Sequence, residues 1–185
     1  MITCLFGSSR NNGNSKVIIN KLLDETNHQI INLYEANIEK VSDYRHSNGP
    51  IPTPHQDDYD QILKKVLDSE VIVLSTPLYW YSMSASLKLF IDRWTESLRD
   101  DTRKDFKSIM SSKKFIVVIV GGDNPTIKAK PLINQFRYIF EFMNITHYSF
   151  LIGNGVAPSE VLNDTKMMKK VKTLNINLKK TFKSD

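Results

Sequence analysis

The chain has 185 residues, 41 % hydrophobic and 24 % charged, with a formal net charge of +5 at pH 7. A single domain, 1–185, of that size buries about 70 % of its unfolded surface and needs no structural metal or disulfide to hold its core. The single cysteine, Cys4, excludes an internal disulfide, and its apolar surroundings make it a buried structural thiol of a reducing compartment, the cytoplasm.

No run approaches the roughly 18 apolar residues of a membrane span, and the start MITCLF lacks the basic leader of a signal peptide. Lysines gather near the end (Lys166, Lys169, Lys170, Lys172, Lys179, Lys180 and Lys183) and read as a solvated helix face. Without interleaved aromatics they give no footprint for nucleic acid, so neither nucleic acid nor membrane is expected as a partner.

In chain order, Ile2–Phe6 is a short apolar run closed by Gly7, as a buried parallel strand requires. The polar stretch GSSRNNGNS follows, and Lys16–Glu25 then sets Val17, Ile18, Leu22 and Leu23 on one helical face. Gln29–Leu33 is a second, shorter strand. Residues 43–58 carry three of the seven prolines and no periodicity, which predicts a long surface loop. Asp57 or Asp58 can cap the next helix, in which Tyr59, Ile62, Leu63, Val66 and Leu67 form an apolar stripe.

Val71–Ser75, rich in β-branched residues, is the clearest strand. A loop over Pro77–Ser84 leads into a helix from Ala85, with Leu87, Phe90, Ile91, Trp94 and Leu98 on one face. Lys114–Val120 is a fourth strand ending at Gly121-Gly122, and Pro131–Met143 is a helix aligning Leu132, Ile133, Phe136, Phe140 and Met143. Thr146–Ile152 is a fifth strand. A last helix from Ser159 onward turns Met167, Val171, Leu174 and Leu178 inward.

Five strands alternating with five helices predict a three-layer α/β sandwich, a parallel sheet in order 2-1-3-4-5 with helices on both faces. In that order the strand sequence reverses between strands 1 and 3, and ligands bind beyond the carboxyl ends there. Both loops at that point are unusual. In Gly7–Ser15, backbone N–H groups and a helix N-terminus offer partial positive charge to a phosphate. Ser8, Ser9 and Ser15 add hydroxyls, Asn12 and Asn14 amides, and Arg10 a full charge. The plain alternative is a polar turn in which Asn14 or Ser15 merely caps the helix.

A P-loop needs four residues between its glycines and a lysine after the second; here five intervene and Asn14 follows Gly13. The three spaced glycines of a dinucleotide-binding turn are also missing. The second loop sets Tyr79, Trp80 and Tyr81 directly after a core strand. These rings can stack on a planar heterocycle, or pack on neighbouring helices or a second subunit.

GSSRNNGNS together with STPLYWYSMSASLKLFIDRW resembles the NAD(P)H-dependent FMN reductase branch of the flavodoxin-like superfamily, over roughly residues 1–95. The resemblance implies a flavodoxin-like fold and non-covalent FMN. It places Ser8, Arg10, Asn12, Asn14 and Ser15 on the phosphate, and Pro77, Leu78, Tyr79, Trp80, Ser82 and Met83 around the ring. Gly121 and Gly122 would approach the ring's pyrimidine edge. It further implies a homodimer or homotetramer, with the 85–98 helix and Trp94 as a candidate contact.

Iron–sulfur relatives carry a cysteine cluster where this chain has YRHSNGPIPTPHQDD, so a thiolate-bound cluster is excluded. His46 and His55 in that stretch are not assigned to a metal. The activity implied is hydride transfer from NAD(P)H to bound flavin and on to a quinone, free flavin or azo compound, with no catalytic acid, base or nucleophile assigned. A flavodoxin-type electron carrier is the alternative, disfavoured by the basic chain and by Arg10. A response-regulator domain is excluded because Phe6–Ser9 and Ser75–Leu78 hold no acidic residue.

Overall fold

The computed structural model describes residues 1–42 and 55–183. Most of the proline-rich stretch, including His46, lies outside them. Apolar runs alternate with amphipathic segments along the chain, and the runs pair side by side. The strands are β1 (Ile2–Phe6), β2 (His28–Asn32), β3 (Val71–Pro77), β4 (Lys114–Gly121) and β5 (Tyr148–Asn154). All pairings are parallel, in the order β2-β1-β3-β4-β5. The sheet order predicted from the sequence is the one observed.

The central strands read as continuous apolar runs because both sheet faces are covered. Alternate residues serve the two faces. Ile2, Cys4, Phe6, Val71, Val73, Ile116 and Val118 pack against α1 (Asn14–Leu23) and α8 (Thr165–Phe182). Leu5, Ile72, Leu74, Phe115, Val117 and Ile119 face the other cluster. That layer holds α2 (Tyr59–Leu67), α3 (Ala85–Asp92), α4 (Trp94–Ser97), α5 (Phe106–Ser111) and α7 (Lys130–Phe142). A short α6 (Pro125–Lys128) follows β4. No helix among the described residues is long and apolar enough to cross a membrane.

The helices differ from the sequence expectation in number and ends. The run expected over 85–98 divides at Arg93, whose buried guanidinium is drawn to Asp57 and Glu96 and lies over the Tyr59 ring. The α5 segment is too short for its periodicity to stand out in sequence. The final helix begins at Thr165, where the Asp164 carboxylate accepts the Met167 N–H, and a 3₁₀ turn over Glu160–Asn163 precedes it. Its buried stripe includes Asn175, which donates to the carbonyls of Leu22 and Asp24 and so satisfies the end of α1. β5 starts two residues later than expected, in register with Phe115 of β4. Cys4 is fully buried and its thiol is pushed up to about 12 by burial, as a structural thiol should be.

Candidate functional site

Parallel strands point their carboxyl ends the same way, so the loops after β1, β3, β4 and β5 gather at one edge of the sheet. A cleft of about 400 Å³ opens there. Ser8, Arg10, Gly13, Asn14 and Ser15 line it from the first loop, Pro77, Leu78 and Tyr79 from the second, and Gly121 and Gly122 from the third. The topological switch point thus holds the cavity.

Gly7 lets the first loop leave β1 close to its neighbour. A Cβ at Gly7 would meet Ser84 Oγ at 2.6 Å and the Ser75 carbonyl oxygen at 3.2 Å. The chain then folds back, the Gly13 N–H bonding the Arg10 carbonyl, and α1 starts at once. Its N-cap is Gly13, with no side-chain cap and no acidic residue in the first turn. The leading N–H groups of α1 therefore retain their partial positive charge toward the cleft. Arg10 is exposed and has no acidic partner among the described residues. An anion fits here, since nothing in the first turn of α1 substitutes for one.

Asn14 does not cap α1; part of its amide is committed to the far end of the chain. Its amide donates to the Ala157 carbonyl at 2.9 Å and accepts from the Val161 N–H at 3.2 Å. Asn12 is exposed and does not line the cleft.

The second loop is a tight hairpin. Tyr79 and Ser82 exchange backbone bonds of 3.1 and 2.9 Å, and between them Trp80 and Tyr81 adopt φ of 48° and 65°. Two non-glycine residues in the left-handed region form a strained turn of the primed type. The strain separates the three aromatics. Tyr79 lines the cleft, with its hydroxyl 3.4 Å from Ser9 Oγ. Trp80 stands 94 % exposed at the tip, outside the cleft. The Tyr81 hydroxyl donates to Asp123, which Lys128 also contacts at 2.5 Å. The Lys128 bond and then the Tyr81 bond hold the Asp123 carboxyl below its ordinary range. Met83 is buried in the core and Ser82 serves the turn through its backbone, so neither lines the cleft.

Val120, Asp123, Gly155 and Val156 complete the lining and were not found by sequence reasoning. For Gly155 and Val156 the only signal was their place after the fifth strand, and the switch-point rule drew attention to strands 1 and 3 instead. No group of acidic, histidine or cysteine side chains suited to a metal ion occurs among the described residues.

The sequence matches the flavodoxin-like fold family over residues 2–175. It is 42 % identical over 163 residues to YwqN of Bacillus subtilis strain 168, covering 88 % of this chain and 90 % of that one; YwqN is provisionally named an NAD(P)H-dependent FMN-containing oxidoreductase. An FMN-dependent NADH:quinone oxidoreductase of Stenotrophomonas maltophilia strain K279a is 29 % identical over 108 residues, 55 % of this chain and 54 % of its own. Among solved structures, the Trp repressor binding protein of Bacillus subtilis superposes with a TM-score of 0.78 at 35 % identity, covering 94 % of this chain and 97 % of that one.

Proposed function

We propose, on the premise that this chain belongs to the flavodoxin-like fold family, that it is a single-domain FMN-dependent NAD(P)H oxidoreductase. The observation that carries the reading is the uncapped N-terminus of α1, which opens beside the exposed Arg10 into the cleft lined by Tyr79 and Gly121–Gly122. One terminal phosphate and one flat heterocycle satisfy those two ends.

FMN, when bound, supplies the redox chemistry, accepting hydride from NAD(P)H and delivering it to an acceptor. The chain supplies position and charge. Arg10, Ser8, Ser15 and the leading N–H groups of α1 would hold the phosphate. Pro77, Leu78 and Tyr79 would bound the ring, and the backbone at Gly121–Gly122 would offer donors to its polar edge. A Cβ at Gly121 would lie 3.1 Å from Leu78 Cβ, so glycine there keeps the two walls close. Asn14, at the cleft edge, joins the first loop to the loop after β5, whereas Asn12, Ser82 and Met83 lie off the cleft lining. No acid, base or nucleophile is assigned. Trp80, fully exposed at the tip of its turn, is available to the acceptor, for which a quinone, free flavin or azo compound is the fitting class.

A second copy is the fitting macromolecular partner, as a homodimer or homotetramer. An apolar groove of about 390 Å³ runs between α3–α4 and α7, with Tyr138 71 % and Phe142 64 % exposed beside it. The 85–98 run, with Trp94, forms one side of this groove, and α7 would add the exposed aromatics to such a contact. The cytoplasm is the compartment that suits the free buried Cys4.

The test is anaerobic. Purified protein titrated with FMN takes up flavin, and NADPH or NADH then bleaches its visible absorbance with no partner reductase present. A protein that ignores FMN sinks the cofactor reading, and one that binds FMN but is reduced only by a partner protein becomes the electron carrier instead.

A further inference from the structure

The loop after β5 has no part in the site as outlined from β1, β3 and β4, yet it walls the same cleft and is fastened from two directions. Gly155 donates its N–H to the Gly121 carbonyl at 3.0 Å, which seats the loop beside the third loop. The Glu160 carboxylate accepts both the Val156 and the Ala157 N–H, at 2.6 and 2.8 Å. Those two bonds hold Glu160 below its ordinary carboxylate range. From the other side Asn14, at the start of α1, clasps Ala157 and Val161 across 143 and 147 residues of sequence. Gly155 is required for that clasp, since a Cβ there would lie 2.8 Å from the Val161 nitrogen and 2.9 Å from Asn14 Nδ2.

The consequence is local and specific. With their N–H groups spent on Glu160, Val156 and Ala157 offer no backbone donor to a ligand. What reaches the cleft is the Val156 side chain, apolar and 64 % exposed. It rests directly on the third loop, where any side chain at Gly122 would collide with Val156 Cγ2. Held in place by a carboxylate and an amide, this apolar group meets a ligand with little further ordering cost.

We propose that Val156 is a cofactor-contact residue, forming an apolar wall between the phosphate loop and Gly121–Gly122, and that Glu160 and Asn14 are the positioning residues that hold it there. The proposal rests on the FMN reading above. It also reassigns Asn14, which acts on the cofactor by joining the first loop to the last.

The test uses the whole protein, with FMN affinity read by quenching of flavin fluorescence and ring environment by visible circular dichroism of the bound flavin. Val156→Ser and Glu160→Ala each weaken FMN about tenfold or somewhat less, the loss expected for an apolar contact of a few methyl groups, and change the dichroism in the same sense. Glu160→Gln, which keeps one acceptor oxygen, recovers most of the affinity. Leu162→Ala, on the same segment but off the cleft, changes neither reading. Wild-type affinity and dichroism in Val156→Ser overturn the contact. An effect of Val156→Ser without one of Glu160→Ala overturns the positioning role. A wild-type chain that binds no FMN removes the cofactor reading itself and this inference with it.

Discussion

At the scale of single residues the site is a set of unmet demands. Arg10 carries a full charge without an acidic partner among the described residues, beside a helix whose first turn holds no acidic residue. Arg10→Gln should therefore weaken FMN about tenfold at low salt, the worth of one exposed charge-assisted bond. The difference from wild type should shrink as salt rises, because exposed charges are screened. Fluorescence titrations at two ionic strengths check both statements, and equal affinities at low salt would move the phosphate elsewhere. Trp80 presents the opposite case, a residue the fold tolerates at a cost. Its left-handed φ of 48° disfavours a bulky side chain, whereas asparagine adopts that region readily. Trp80→Asn should raise the urea midpoint by the equivalent of about 0.5–1 kcal/mol while raising KM for an aromatic acceptor. Unchanged kinetics would show that the exposed indole has no role in turnover.

At the scale of elements, the segment leading into α2 is pinned to α3–α4 by a buried ionic network. Arg93 bonds Asp57 at 2.5 Å and Glu96 at 2.7 Å, and the Asp57 carboxylate also accepts the Glu39 N–H. Burial alone would raise Asp57; the Glu39 and Tyr59 N–H groups and Arg93 outweigh it and bring its carboxyl below the ordinary range. His55 lies between Glu39 Oε2 at 2.8 Å and Glu96 Oε1 at 3.1 Å. Carboxylates only accept, so both ring nitrogens donate and the bound form is the imidazolium.

The bond to Glu39 raises the His55 pKa, with Glu96 adding to it against burial and Arg93. A raised folded pKa gives stability that is whole below the ordinary histidine range and is lost as pH rises through the folded value. His55→Asn should thus cost about 1 kcal/mol near pH 5.5 and clearly less near pH 9. Urea melts at both pH values decide it; an equal loss at both would mean that the charge contributes nothing. In the same layer Phe90 is fully buried, tilted against Tyr59 and edge-on to Trp94. Phe90→Ala should cost about 3–5 kcal/mol through lost transfer energy and the cavity left behind, measured by the same melts.

For the whole molecule, the ligand and the fold are coupled because the cleft joins the two ends of the chain. Loops after four different strands line it, so unfolding any of them destroys it. FMN at about one hundred times its dissociation constant should stabilise the native state by roughly 2.7 kcal/mol, seen as a concentration-dependent rise in Tm. A Tm that ignores FMN would contradict binding to the native fold. The groove between α3–α4 and α7 gives the second molecular prediction. Tyr138→Glu with Phe142→Glu should lower the mass found by light scattering without unfolding the chain, since both side chains are exposed. An assembly that survives both changes uses another face.

Elements that repeat a strong local pattern can be read from the residues alone. Val71–Ser75 and Lys114–Val120 read as strands buried on both faces, and with helices between the strands the parallel order 2-1-3-4-5 and the position of the cleft followed. The first loop was legible as a candidate anion site, because charge and small polar residues at a strand-to-helix turn suit an anion. Contacts without a local signature were decided only by the tertiary structure. Nothing near Asn14 announces a bond to Ala157, because a side-chain amide reads the same whether it meets a ligand or a carbonyl far along the chain. Trp80, Ser82 and Met83 lie within four residues of one another, yet a turn with two left-handed residues sends one into solvent, one into a backbone pair and one into the core. The first loop could be singled out from its own residues; the wall at Gly155–Val156 exists only because parallel pairing carries the carboxyl ends of the first and last strands to the same edge of the sheet.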